Sequence, residues 1–113
     1  MSQTKNVAEV AAAMQTVTKK FEWTLSAFEK QGNLWLQWST NAPFRAQQDK
    51  IEVYVNGWPS NPDSNAKAWT WADAKNSPWD SGLRWGSDWY CARIAQSAPN
   101  GPYVYVEQII TKE

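Results

Sequence analysis

Tryptophan is the residue that most constrains this chain. Nine of the 113 residues are Trp, and six of these lie between Trp58 and Trp89, among Asn, Asp, Ser, Gly and Pro residues. An indole is a large, flat, apolar plate with a single N–H donor, so it is suited to burial in a core or to stacking against a ligand. The fold must therefore bury or display an unusually large aromatic surface.

A single domain is expected from the size of the chain. At 12.9 kDa, folding should remove about two thirds of the chain's surface from water, which is enough for an independent core. Eleven basic and eleven acidic residues give a formal net charge of zero, whereas nucleic-acid binding needs a basic surface. We therefore predict one domain over residues 1–113 and no nucleic-acid partner.

Targeting and redox features are sparse. Cys91 is the only cysteine, so it has no intrachain disulfide partner, and its place in an alternating segment predicts an inert, packed thiol. Residues 1–9 lack the basic start and apolar run of a signal peptide, and no stretch is apolar enough to span a membrane. These features predict a protein that is cytoplasmic or exported without a signal peptide and that has no transmembrane segment.

Residues 6–20 carry the one clear helical pattern. Val7, Val10, Met14 and Val17 recur at alternating spacings of three and four residues, which places them on one face of an amphipathic helix. Such a short stripe is not stable as an isolated coiled coil. It is therefore expected to pack either on the domain's own sheet or on the same helix of a second copy, which would make the protein a homodimer.

After the helix the hydrophobic period changes to two, as in half-buried antiparallel strands. The alternating segments are 21–26, 34–39, 51–56, 88–96 and 103–110. Between Gly57 and Ser87 the alternation breaks, and only residues 68–72 resemble a strand. The pattern predicts a mainly β fold, an immunoglobulin/fibronectin III-like antiparallel β-sandwich, preceded by the N-terminal amphipathic helix and carrying Trp-rich loops over residues 57–89.

Strand register separates the tryptophans. Trp23 and Trp38 are in register with aliphatic neighbours and are expected in the core, whereas Trp35 lies on the opposite face, at the surface or in a dimer contact. The loop tryptophans indicate a saccharide site, because an indole packs on the C–H face of a sugar while carboxylates, amides or a guanidinium hold its polar groups. The candidate glycan-binding residues are Trp58, Trp69, Trp71, Trp79, Asp80, Arg84, Trp85 and Asp88.

These candidates also have structural interpretations. A Trp in a Gly- and Pro-rich loop often closes the open end of a sandwich, and Asp80 and Arg84 could form an ion pair that braces their loop. The loop polar groups nearby include Asp63, Asn65 and Asp73. Catalysis is not predicted, because the chain has no histidine, which removes the commonest general base and most zinc sites. No cofactor or metal is expected.

Three segments carry a family resemblance. They are the helix end and first strand Val17-Thr18-Lys19-Lys20-Phe21-Glu22-Trp23, the strand Ile51-Glu52-Val53-Tyr54-Val55-Asn56-Gly57, and the closing hairpin from Trp89 to Ile110. In this layout the chain resembles the fungal immunomodulatory proteins of the Fve type, which are small lectin-like mushroom proteins. The resemblance implies an N-terminal helix before an immunoglobulin-like sandwich, dimerisation through the helix and first strand, glycan binding, cell agglutination and stimulation of lymphocytes.

These observations favour a lectin-like homodimer that binds glycans or glycoproteins of the cell surface, with immunomodulatory or agglutinating activity. Two sites per dimer would convert weak single-site binding into avidity. Two alternatives stay open. One is a membrane-interacting defence or toxin protein, since Trp concentrates at lipid interfaces. The other is a protein-interaction module with exposed Trp anchors.

Overall fold

Antiparallel strands dominate the described part of the protein. The computed structural model describes residues 22–41 and 48–113, so the predicted helix at residues 6–20 lies outside the described residues. Within those ranges there is no α-helix, and one short 3₁₀ helix, Ala74–Asn76, is present. The strands are Trp23–Lys30 (β1), Asn33–Thr40 (β2), Lys50–Val55 (β3), Ala68–Trp71 (β4), Trp79–Arg84 (β5), Trp89–Gln96 (β6) and Tyr103–Ile110 (β7).

The strands form two sheets. One has the order β1-β2-β5 and the other β4-β3-β6-β7, and all neighbouring strands are antiparallel. The β1–β2 hairpin turns at Gln31 and Gly32, whose φ angles of 55° and 85° suit a two-residue turn that matches the strand twist. The prediction of a mainly β, antiparallel chain is confirmed.

The main core lies between the two sheets. Leu34 and Leu36 of β2 meet Ile51 and Val53 of β3, and none of the four side chains is exposed. Cys91 belongs to the same cluster, and burial raises the pKa of its thiol to about 12. The prediction of a packed thiol is confirmed, and the raised pKa disfavours the thiolate, which is the reactive form of cysteine.

Of the two strand tryptophans predicted in the core, Trp38 lies there and Trp23 does not. Trp38 is buried in the core, where its indole N–H donates to the Ala72 carbonyl at 3.1 Å. Trp23 is only half-buried, and the guanidinium carbon of Arg93 lies 4.7 Å from its ring centroid. Trp35 stands on the other face of β2 and stacks on an aromatic ring of β1. A shift of one residue along a strand therefore moves a side chain from the core face of the sheet to its outer face.

Strand β5 corrects the sequence analysis, which placed residues 79–84 in a loop. Ser81 and Gly82 interrupt the apolar alternation, so the pattern gives no strand signal. In the structure the Ser81 hydroxyl donates to the Leu34 carbonyl at 2.7 Å, and Gly82 has a φ of 80° where the register with β2 shifts. The hydrogen bond from Ser81 therefore attaches this segment to β2, and the bulge at Gly82 accommodates the shift in register.

Strand β3 is enclosed on both faces, although its alternation predicted one polar, solvent-facing side. Glu52 and Tyr54 alternate with the core residues, yet each is 1% exposed. The segment after β3 folds over this outer face, where the ring centroid of Trp58 lies 5.2–6.1 Å from those of Tyr54, Tyr90 and Tyr105. The outer face of the four-stranded sheet is therefore a second packed surface.

A buried ion pair joins β6 to the residue before β3. Arg93 and Asp49 are 1% and 5% exposed, and Nη2 of Arg93 lies 3.1 Å from Oδ2 of Asp49. Taking two charges out of water is costly, and the mutual attraction offsets that cost only while both partners are present. The pair is therefore a point where a single substitution should have a large effect.

Replacing Asp49 with Ala should lower the free energy of unfolding by about 3–5 kcal/mol, because it leaves the Arg93 guanidinium buried without its carboxylate. Asp73→Ala is the matched control, since Asp73 is exposed and makes no capping bond, and it should change stability by less than about 0.5 kcal/mol. Urea unfolding measures both. Equal stability of the two variants would show that the pair does not support the fold.

Candidate functional site

The structure divides the candidate residues among three places instead of gathering them into one site. One group stands on the outer face of the four-stranded sheet, a second lines a groove beside the β5–β6 loop, and a third occupies β5 itself. In that order, the groups are Trp58, Trp69 and Trp71; Arg84, Trp85 and Asp88; and Trp79 and Asp80.

Trp69 and Trp71 form the exposed aromatic part of the outer face. They lie on the edge strand β4, opposite Glu52 and Lys50 of β3, and alternation places both indoles on the same side. Trp69 is 47% exposed and Trp71 is 40% exposed. Their rings meet edge to face with centroids 5.1 Å apart. A ligand in solution can therefore reach both indoles.

Lys50 places a fixed positive charge among aromatic rings. Its ammonium lies 4.6 Å from the Trp69 centroid, 5.4 Å from that of Trp71 and 5.2 Å from that of Tyr103. The same nitrogen is 2.8 Å from Oδ1 of Asp63. Burial acts to lower the pKa of Lys50, but the hydrogen bond and charge of Asp63 raise it. The lysine therefore stays charged on an aromatic surface, with a carboxylate beside it.

Glu52 is a buried acid beneath this surface. Its carboxyl accepts a hydrogen bond from the Tyr54 hydroxyl at 2.7 Å and shares a second with Asp63. Burial, and then the bond with Asp63, raises the pKa of Glu52 to about 7, while that bond lowers the pKa of Asp63. The pair therefore holds one proton below neutral pH, with Asp63 as the charged member.

These neighbouring groups are called the outer-face site below. Trp58 supports the site but is not part of its exposed surface, because its ring is half-buried against three tyrosines of the same face. The outer-face site consists of Lys50, Glu52, Asp63, Trp69, Trp71 and Tyr103.

A groove of about 550 Å³ lies where β3 and β5 end and β6 begins. Arg84, Trp85 and Asp88 line it, as the sequence analysis grouped them, together with Val55 and Asn56 at the end of β3. Because these strand ends meet at one end of the two sheets, the cavity is called the end groove below.

Trp79 and Asp80 are engaged by the fold. The Trp79 ring packs against the core between the sheets. The Asp80 carboxylate accepts hydrogen bonds from the side-chain amide of Asn33, at 3.1 Å to each oxygen, and from the Gly82 N–H at 2.9 Å. These bonds replace the expected brace to Arg84. Trp79 is therefore partly buried in the core, and the exposed Asp80 carboxylate is already hydrogen-bonded to its own sheet.

Sequence reasoning missed most polar members of the outer-face site. Lys50, Glu52 and Tyr103 were not candidates, and Asp63 was one of several polar loop residues. The sequence held one signal, because Glu52 and Tyr54 share a strand face and a buried Tyr hydroxyl seeks a polar partner. The contact with Asp63 depends on how the β3–β4 connection folds back, which no periodicity encodes.

Comparisons with known proteins do not assign the chain. No family model matches it, and neither a curated protein nor a solved structure gives a significant match. In residues 22–41 and 48–113, no cluster of three or more acidic or Cys side chains is suited to a metal ion. The same residues include no helix with the length and apolarity needed to cross a bilayer. The outer-face site and the end groove are therefore the features of this protein that bear on its function.

The free energy of unfolding should fall as the pH rises from about 4.5 to about 7, because the Glu52 pKa moves from 4.5 to about 7 on folding. The folded state then binds the proton more tightly, so the stabilisation is complete below the unfolded pKa and is lost as the pH passes the folded one. The expected loss is on the order of 2 kcal/mol. Urea unfolding at several pH values measures it.

Glu52→Gln is the matched control, because the amide keeps an acceptor for Tyr54 and cannot titrate. Its stability should be nearly flat between about pH 5 and pH 7, because the absence of histidine leaves no other side chain whose ordinary pKa lies in that interval. A flat profile for the unaltered protein would contradict the raised pKa of Glu52.

Proposed function

We propose that this protein is a lectin-like, carbohydrate-binding protein and that the outer-face site holds the glycan. The observation that carries the proposal is the pair of accessible indoles, Trp69 and Trp71, beside a charged amine and a charged carboxylate. An exposed aromatic patch rimmed by polar groups is typical of a surface that binds a ligand or partner.

The chemistry of the site suits a neutral sugar. The C–H face of a pyranose packs on an indole, the Lys50 ammonium donates to its oxygens, and the Asp63 carboxylate accepts from its hydroxyls. The charges of Lys50 and Asp63 offset each other, so the site has no net charge that would select an anion. Covering about 60 Å² of one indole contributes roughly 1.5 kcal/mol.

The two indoles are held in place before a ligand arrives. Just before β4, the Lys67 N–H donates to the Val53 carbonyl at 2.7 Å, and just after it the Ala72 N–H donates to the Asp49 carbonyl at 2.9 Å. These bonds attach both ends of the short strand to β3 and its preceding residue. A site that is ordered in advance loses less conformational freedom on binding.

The carboxyl pair supports binding over glycoside hydrolysis. Hydrolysis needs two carboxyl groups roughly 5 to 9.5 Å apart, one on each side of the scissile bond. Glu52 and Asp63 are instead hydrogen-bonded to each other, and Glu52 is 1% exposed. The two groups therefore cannot flank a sugar, and their effect on a ligand passes through the exposed Asp63 carboxylate.

The strand order supports an immunoglobulin/fibronectin III-like sandwich as the fold of this module. An immunoglobulin domain places its first, second and fifth strands in one sheet and its third, sixth and seventh in the other. The sheets β1-β2-β5 and β4-β3-β6-β7 follow this division. The pairing of β4 with β3 is the fibronectin III variant, in agreement with the fold that the resemblance to Fve-type proteins implies.

A homodimer through the N-terminal amphipathic segment is part of the same proposal. The apolar stripe of residues 6–20 supports pairing of two copies, and each copy carries its own outer-face site. Two weak sites on one dimer bind clustered cell-surface glycans with avidity. Bridging of glycoproteins between or on cells would then produce the agglutination and immunomodulation that the resemblance implies.

Replacing Trp69 or Trp71 with Ala should weaken glycan binding about tenfold each, because each variant loses one stacking surface worth about 1.4 kcal/mol. A glycan array with the full chain identifies the sugar, and isothermal titration with that sugar measures the affinity. Thermal unfolding checks that the variants remain folded, which is expected because both side chains lie at the surface, outside the core clusters.

Trp35→Ala is the matched control, since it removes an indole from the outer face of the other sheet, and it should leave the affinity unchanged. Failure of the array to find any ligand would contradict the proposal, as would binding that survives the loss of both Trp69 and Trp71. Capture of a protein that free sugars do not displace would point instead to a protein-interaction module.

A further inference from the structure

The end groove differs in chemistry from the outer-face site. Arg84 and Asp88 line it with exposed side chains. Among the described residues, neither the guanidinium nor the carboxylate has a hydrogen-bond or ion-pair partner. The exposed Asn56 side chain also lines the groove, and its amide has no hydrogen-bond partner among the described residues. The groove therefore presents one cation, one anion and one amide that are available to a ligand.

An indole completes the groove wall. Trp85 packs partly against the core between the sheets and also lines the cavity. Its backbone N–H donates to the Gly32 carbonyl at 2.9 Å, which fixes the chain next to Arg84. The neighbouring Trp89 indole N–H donates to the Arg84 carbonyl at 2.9 Å. The peptide unit that follows Arg84 is thus held at both its carbonyl and its N–H.

The loop that carries Asp88 is also fixed, by the buried residue Thr111. The Thr111 hydroxyl accepts from the Trp89 N–H at 3.0 Å and donates to the Gly86 carbonyl at 2.7 Å. The Thr111 carbonyl accepts from the Asp88 N–H at 2.9 Å. Asp88 is held at a φ of 69°, which is uncommon for a residue with a side chain. Such ordering lowers the entropic cost of binding.

We propose that the end groove is a second binding site and that it takes a sugar residue bearing a carboxylate. The planar Arg84 guanidinium forms two parallel hydrogen bonds to a carboxylate, which a neutral sugar cannot supply. Asp88 and Asn56 hold hydroxyls, and the Trp85 ring packs on the sugar face. The groove volume of about 550 Å³ is in the range of roughly 300–1,000 Å³ that is typical of small-molecule sites.

The inference goes beyond the outer-face proposal and does not depend on it. Lys50 is already paired with Asp63 at 2.8 Å, whereas Arg84 is not paired with any described residue. The two surfaces are therefore expected to select different sugars, one neutral and one anionic. A glycan that carries both kinds of residue could engage the two sites of one chain or of neighbouring chains.

The test compares methyl β-D-glucuronide with methyl β-D-glucoside, which differ only in the carboxylate. The full ¹⁵N-labelled chain is titrated with each, and the indole N–H signals are followed by NMR after Trp85→Phe and Trp89→Phe assign them. The glucuronide should shift the Trp85 signal and bind about tenfold more tightly than the glucoside, as a charge-assisted bidentate contact requires.

Arg84→Gln should bring the glucuronide affinity down to that of the glucoside, and Arg84→Lys should give an intermediate value. Lys75→Gln is the matched control, because it removes one exposed positive charge elsewhere, and it should leave the affinity unchanged. Equal binding of the two glycosides overturns the inference, as does an Arg84→Gln variant that binds normally. Shifts confined to Trp69 and Trp71 overturn it while leaving the outer-face proposal standing.

Glucuronide binding at the groove in a protein that binds no neutral glycan would support this inference and reject only the outer-face proposal. The two conclusions therefore fail separately.

Discussion

The outer surface of this protein depends on the enclosure of β3 from both sides. Ile51 and Val53 fill the space between the sheets, and the connection from β3 to β4 covers Glu52 on the opposite face. A buried carboxyl is costly unless it is hydrogen-bonded, and Tyr54 and Asp63 supply its bonds. Asp63 is thereby anchored from below, and its Oδ1 contacts the ammonium of Lys50, which stands among the exposed rings.

Two surfaces of opposite design share this small domain. On the outer face, the ammonium of Lys50 is neutralised by Asp63 and surrounded by rings, so contact area would decide what binds under our proposal. In the end groove, the Arg84 guanidinium is unpaired among the described residues, so charge would decide what binds under our proposal. A chain with zero net charge can thus present local selectivity of either kind, because the arrangement of charges matters more than their sum.

The alternation of apolar and polar residues predicted most of the strands, because one apolar face per strand is the dominant local signal in a sequence. The alternation did not predict β5, because Ser81 there donates to a backbone carbonyl and makes no apolar contact. It also predicted that Glu52 faces solvent, whereas a segment distant in sequence covers that face of β3. Of the candidate site, the pairing of Trp69 with Trp71 follows from their spacing of two. Their polar neighbours come from loop closure, which a local pattern does not encode.

The enclosed sulfur of Cys91 has a practical consequence. Burial encloses its thiol and raises its pKa, and both effects disfavour the intermolecular crosslinking that an exposed thiolate undergoes. A new cysteine introduced on the surface would be the sole target of a maleimide dye. Fluorophores could therefore be attached beside the outer-face site or the end groove without first mutating the native sulfur.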